Sequence, residues 1–154
     1  MKATHRRLLN MCVDTLKGLH FNPENIMVTG SIALDAVGIL PENRFAHDFD
    51  FVIKMDDQTW RCMKLIEAIN RADLGKSVDE KYPGSNDVIF ISVNGFIMNI
   101  WKYDGGDWSG IKDAETGIYI ATADNIIKAK KRYARAKDYQ DINEIVTTIL
   151  LWIR

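Results

Sequence analysis

Two aspartates, Asp48 and Asp50, stand two apart in the run Asp48-Phe49-Asp50-Phe51. On an extended strand that spacing puts both side chains on one face. Two carboxylates held that close repel unless a cation joins them or one keeps its proton. Mg²⁺ favours such a place, since it takes one or two carboxylates together with substrate phosphates. Upstream, the β-prone run Ile26-Met27-Val28-Thr29 leads into Gly30 and Ser31. Gly30 lets the chain turn where a side chain would clash. Ser31 suits the N-cap of a short helix through Ile32, Ala33, Leu34, Ala36 and Val37. Free N–H groups at a helix start, beside a hydroxyl, bind phosphate. The two stretches together point to metal-dependent phosphate chemistry. Taken singly they read as a solvated acid pair, a plain cap and an ordinary turn.

The elements that must carry these residues follow from periodicity. Residues 4–19 form an amphipathic helix with Leu8, Leu9, Cys12, Val13, Leu16 and Leu19 at helical spacing and Thr4 as cap. Gly18 and the cluster Asn22-Pro23-Glu24-Asn25 end it. After the Ser31 helix comes a loop over 38–43, then a second strand from about His47 to Lys54. Asp56-Asp57 caps a helix through Arg71 that buries Trp60, Met63, Leu65, Ile66 and Ile69. Residues 75–86 are polar and contain Pro83-Gly84-Ser85-Asn86, which reads as a loop with room for a short strand before it. The β runs 88–93 and 96–101 are joined by Asn94-Gly95, the strongest short hairpin signal. Residues 103–112 read as an exposed Gly- and Asp-rich loop, 117–121 as a short strand, and Thr122 or Asp124 as the start of a helix. A last helix begins near Lys137-Asp138 and packs Ile142, Ile145, Val146, Ile149, Leu150 and Ile153. The expected fold class is α+β (mixed α/β): one domain over 1–154, a mixed sheet flanked by helices, with helices at the C-terminus.

Gly-Ser after a hydrophobic strand, then Asp-hydrophobic-Asp on the next, resembles the DNA polymerase β-like nucleotidyltransferase superfamily. The nearest likeness is to its small bacterial and phage members, the minimal and AbiEii-like nucleotidyltransferases, and it covers nearly the whole chain. The resemblance implies a nucleotidyltransferase fold and transfer of a nucleoside monophosphate from a triphosphate such as ATP onto a hydroxyl. The acceptor would be a protein, an RNA end or a small molecule. It implies Mg²⁺ (or Mn²⁺) held by Asp48 and Asp50, with Gly30 and Ser31 on the phosphates. The family's third acid lies in a hydrophobic-Asp-hydrophobic pattern after a hairpin, and the matching place here is Met98-Asn99-Ile100. Asn99 brings no negative charge and cannot accept a proton, so the rival reading is a catalytically inactive module that binds a nucleotide or a partner. Asp87 and Asp104 are the candidate replacements, both at loop edges. The segment 128–141 resembles the family's C-terminal signature through Lys130, Arg135, Lys137, Asp138 and Asp141, with Lys130 and Arg135 neutralising triphosphate charge. A solvated helix end is the plain alternative. Arg44 and His47 precede the acid pair where related sequences often carry a basic or polar residue, so the resemblance allows a role near the phosphates, although a lone His at a strand start is more often structural. Trp108, in the Gly-rich loop, is the one tryptophan worth testing as a base platform. Small family members sit in toxin–antitoxin or phage-defence systems, which by analogy suggests such a partner.

Composition bounds the rest. At 154 residues the chain is long enough for its own core. Apolar residues make up 47% and charged residues 27%, as in globular domains. With 21 acidic against 20 basic residues there is no whole-protein field to attract nucleic acid, so a polynucleotide must meet a local patch. Cys12 and Cys62 lack disulfide or zinc spacing. No apolar run suggests a signal peptide or membrane span. A reducing cytoplasm is the expected setting.

Overall fold

The computed structural model describes residues 1–40, 44–46, 48–74, 88–133 and 136–153. Within them the chain builds one open, six-stranded mixed sheet and five α-helices, the last two at the C-terminal end. The α+β expectation therefore holds. No helix among the described residues is long and apolar enough to cross a membrane.

Helix α1 (Ala3–Gly18) buries Leu9, Cys12, Val13 and Leu16 on one stripe, as its spacing requires. Its start differs from expectation. Lys2 precedes the helix, Thr4 lies within it, and no side chain caps it locally. Asp35, distant in sequence, instead accepts the Lys2 N–H at 2.8 Å. Its end is set by His20, whose φ of 70° turns the chain. The Phe21 N–H then reaches the Leu16 carbonyl and the His20 N–H the Lys17 carbonyl, a Schellman closure with histidine where glycine is commonest. A single 3₁₀ turn, Pro23–Asn25, follows.

Strands β1 (Ile26–Thr29), β2 (Asp48–Ile53), β3 (Val88–Val93), β4 (Phe96–Lys102), β5 (Gly110–Lys112) and β6 (Tyr119–Ala121) lie in the order β3-β4-β2-β1-β6-β5. β2 runs antiparallel to β1 and parallel to β4, with Thr29 and Asn99 both opposite Asp50. The β3–β4 hairpin turns on Asn94 (φ 49°) and Gly95 (φ 86°), pairing Val93 with Phe96. Two successive positive φ angles are what a two-residue primed turn needs. Strand β5 falls inside the stretch expected to be loop. It has three residues, opens on a glycine and is held by pairing with β6, so local propensity could not reveal it. Along β2 the apolar Phe49, Phe51 and Ile53 are buried, and Asp48, Asp50 and Val52 are half-buried on the other face. The end of β1, the start of β2 and the β3–β4 turn share one end of the sheet.

Of the other helices, α2 (Gly30–Ala36) follows β1 directly. α3 (Asp57–Leu74) is capped by Asp56, whose carboxylate accepts the Thr59 N–H at 2.7 Å. Its inward face corrects the expected one: Met63 and Glu67 are buried, whereas Leu65, Ile66 and Ile69 are exposed. The reason is the sheet edge beside it. Glu67 accepts the Phe90 N–H at 2.6 Å and Lys64 donates to the Val88 carbonyl at 3.0 Å. Edge-strand polar groups need partners, and α3 supplies them from its polar positions. α4 (Ala123–Tyr133) is capped by Thr122, which accepts the Asn125 N–H. α5 (Ala136–Ile153) buries Ile142 and Ile145 and packs Ile149 on the core, but leaves Val146 and Leu150 exposed.

Candidate functional site

Asp50 is the fixed point. Flanked by β1 and β4, it meets a partner from each side. Asn99 donates its Nδ2–H to Asp50 Oδ1 at 2.7 Å. On the other side lies the turn at Gly30, where φ is +66° and a Cβ would sit 2.6 Å from Asp50 Oδ2. Glycine is required there twice over, for the left-handed backbone and for the space. Gly30 thus packs its backbone directly on the carboxylate, and the two separated sequence motifs meet.

Asp48 lies two residues earlier on the same strand face, half-buried and opposite Ile97. Asn99 is fully buried, and its Oδ1 finds no partner among the described residues. Turning the amide over would set that oxygen against the Asp50 carboxylate, so the donor must face Asp50. Such an orphaned acceptor is uncommon in a folded interior. Among the described residues no group of three or more His, Cys, Asp and Glu side chains could hold a metal ion. The side-chain oxygens brought to this end of the sheet include those of Asp48, Asp50 and Asn99. All are hard oxygen ligands of the kind Mg²⁺ accepts.

Ser31 sits inside the first turn of α2 rather than at its cap. Thr29 holds the cap position, with no side-chain cap hydrogen bond. The Ser31 hydroxyl makes no hydrogen bond among the described residues, and Ser31 is half-buried next to Gly30. Lys130 is engaged elsewhere: its ammonium donates to Asp141 Oδ2 at 2.8 Å. Arg44 lies 3.7 Å from the other oxygen of Asp141 and bonds Glu144 at 3.0 Å. The segment before β2, α4 and α5 are thus joined through one carboxylate. Arg135, His47 and Asp87 lie outside the described residues.

Asp104 is no substitute for the third acid. It follows β4 beyond Lys102, which pairs with Ile53 at the far end of β2. Five residues along a strand from Asn99 is roughly 16 Å. There Asp104 accepts the Gly106 N–H and bonds Arg132, contacts that hold its carboxyl below the usual range. Trp108 shares that far end. It meets Tyr103 and Tyr119 edge-on, with the Lys54 ammonium 4.3 Å from its ring centroid, a packed cluster away from the carboxylates. The Cys12 thiol, pushed up to about 12 by burial, is inert as a nucleophile.

One constellation lies outside every motif. His5, 1% exposed on α1, bonds Asp35 Oδ2 through Nδ1 at 2.7 Å, and its Nε2 accepts the Ala46 N–H at 3.0 Å. Asp35 also receives the Lys2 ammonium at 3.1 Å. Burial pushes the Asp35 carboxyl up, but the Lys2 N–H, the His5 ring and the Lys2 ammonium outweigh it and leave it below its ordinary value. The available signals were faint: a histidine on the apolar stripe of α1 and an acid among the buried residues of α2. No family model, curated protein or solved structure matches this chain.

Proposed function

We propose that this chain is a nucleotidyltransferase-type protein that binds a nucleoside triphosphate with Mg²⁺ or Mn²⁺ at the Gly30–Asp50 end of its sheet. The observation that carries the reading is the close approach of Gly30 to Asp50, where a Cβ would lie 2.6 Å from the carboxylate. A turn able to receive phosphate and a carboxylate able to receive a cation are thereby held at one point. Asp48 and Asp50 would hold the metal, with the Asn99 oxygen, unpartnered among the described residues, as a further donor. Bound there, the ion would neutralise and orient the phosphates. Gly30 and Ser31 would meet those phosphates through main-chain N–H groups and the hydroxyl. Lys130 and Arg135 are the proposed cationic support for the triphosphate.

Within this reading, transfer to a hydroxyl needs a proton acceptor, and the Asn99 amide cannot be one. Its donated hydrogen bond also occupies a lone pair of Asp50. This observation favours a second reading, in which the protein binds nucleotide without turning it over. Calorimetric titration of ATP and the other triphosphates, with and without metal, tests both. Metal-dependent binding should vanish in Asp48→Asn and Asp50→Asn while the fold survives. Absence of binding by wild type, or full binding by either variant, would end the proposal. Pyrophosphate release by wild type separates the enzyme from the binding module.

A further inference from the structure

We infer that His5 is a positioning residue that ties the Gly30 turn to the start of β2, and so sets the spacing between the two halves of the site. The inference rests on reading Asp48 and Asp50 as the working carboxylates. The Ala46 N–H can only donate, so Nε2 of His5 carries no proton, and Nδ1–H must be the donor to Asp35. Both ring nitrogens are engaged, and the ring is buried. His5 therefore joins elements rather than moving protons.

What it joins decides the matter. Asp35 belongs to α2, a helix of seven residues that starts at Gly30. At 1.5 Å per residue, Asp35 stands about 7 Å along the axis from Gly30. Ala46 lies two residues before Asp48, a reach of no more than about 7 Å. The path from Gly30 through α2, Asp35 and His5 to Ala46 is thus short, and Ala46 stands two residues from Asp48. Residues 44–46 make no backbone–backbone hydrogen bond among the described residues, so side chains fix where they lie. His5 holds Ala46, Arg44 reaches Glu144, and the Phe45 ring meets His5 edge-on at 5.7 Å. Lys2 holds Asp35 from the start of α1 through its N–H and ammonium. The ring is oriented before any ligand arrives.

The test begins with the wild type, where long-range ¹⁵N–¹H correlation of the imidazole should show Nδ1 protonated and Nε2 bare. An Nε2–H tautomer or an imidazolium overturns the inference. In His5→Leu, the Ala46 amide should exchange faster while the core amide of Phe51 keeps its protection. Mn²⁺ affinity, read by electron paramagnetic resonance with Mn²⁺ alone, should fall about tenfold or more, as for the outer partners of other metal sites. His5→Gln, which keeps one donor and one acceptor, should bring both measurements back toward wild type. Unchanged Ala46 exchange in His5→Leu, or faster exchange with unmoved Mn²⁺ affinity, overturns the positioning role. If wild type takes up no Mn²⁺, the reading of Asp48 and Asp50 falls, while the tautomer and the Ala46 exchange still decide the tie. Should His5→Leu fail to fold, Asp35→Leu breaks the tie at its α2 end and should lower Mn²⁺ affinity in the same way; unmoved affinity there overturns the positioning role.

Discussion

Replacing Gly30 with alanine separates two energies that the structure superimposes at one residue. The first is backbone strain. A φ of +66° in a residue with a Cβ costs roughly 1–2 kcal/mol. The second is the collision with Asp50. Its Cγ and Cβ would lie 3.5 and 3.6 Å from the new methyl, in ordinary contact, and only Oδ2, at 2.6 Å, must move. Rotating the carboxylate to free Oδ2 also swings Oδ1 away from Asn99, whose hydrogen bond is 2.7 Å long. A hydrogen bond to a charged group contributes about 1.5–3 kcal/mol, so Gly30→Ala should lose about 2.5–5 kcal/mol in all. Gly95→Ala is the control: its φ is +86° and nothing lies within 4 Å of its Cβ direction, leaving only the backbone cost. At about 2–4 °C per kcal/mol for a chain of this size, Gly30→Ala should melt well below Gly95→Ala. Urea titration gives the free energies directly. The same substitution in an Asn99→Ala background should lose less, because the hydrogen bond is already gone. Equal destabilisation by Gly30→Ala and Gly95→Ala would refute the claim that the turn is packed on Asp50.

Further outcomes follow from the same contacts. Asn99→Asp puts a second carboxylate at hydrogen-bond distance from Asp50 in a buried place. Repulsion raises the folded-state pKa of such a pair, so the variant should be most stable in acid, lose stability as pH rises, and regain it with Mn²⁺; melting across pH with and without metal measures this. Asp113 is held below the ordinary range first by its hydrogen bond from Arg6. Its stabilisation is therefore full above its unfolded value of about 3.9 and lost as pH falls through the depressed one, and Asp113→Asn should flatten the acid limb of the urea midpoint. Lys130→Ala leaves the mostly buried Asp141, among the described residues, with the longer Arg44 contact as its one cation and should cost about 1–3 kcal/mol. Arg132→Ala, which removes an exposed pair with Asp104, should change urea stability by less than about 1 kcal/mol.

The site was legible where short-range signals were strong. Asn94-Gly95 signals the hairpin that carries Asn99, and the alternation of β2 puts both aspartates on one face; that β4 lies parallel to β2 and sets Asn99 opposite Asp50 is a long-range pairing no local signal contains. Asp56 and Thr122 cap their helices as their types suggest. The expectations that failed share a different cause. Thr4 and Ser31 do not cap because Asp35, far away in sequence, takes the start of α1, and Gly30 enters α2 straight from the strand. Periodicity alone turns Leu65, Ile66 and Ile69 inward. The helix they sit on lies against a strand edge whose N–H and C=O groups select Glu67 and Lys64 for that side. His5 and Asp35 are far apart in sequence and belong to no pattern, so only folding brings them together.

The two carboxylates are consequently not equivalent, although their spacing in the sequence treats them alike. Asp50 lies inside the sheet, with β1 and β4 on either side, a hydrogen bond from Asn99 and the Gly30 turn against its other oxygen. Its place is set by ladders that persist as long as the sheet does. Asp48 is the first residue of β2, and residues 44–46, shortly before it, are held by His5 and Arg44, with no backbone–backbone hydrogen bond among the described residues. A ligand that draws the two acids together therefore works mainly against Asp48. Weakening the contacts of residues 44–46 should change the separation of the acids before it changes the sheet. Loss of His5 should therefore act on Asp48 before Asp50, although its hydrogen-bond partners are Asp35 and Ala46 and neither of those carboxylates.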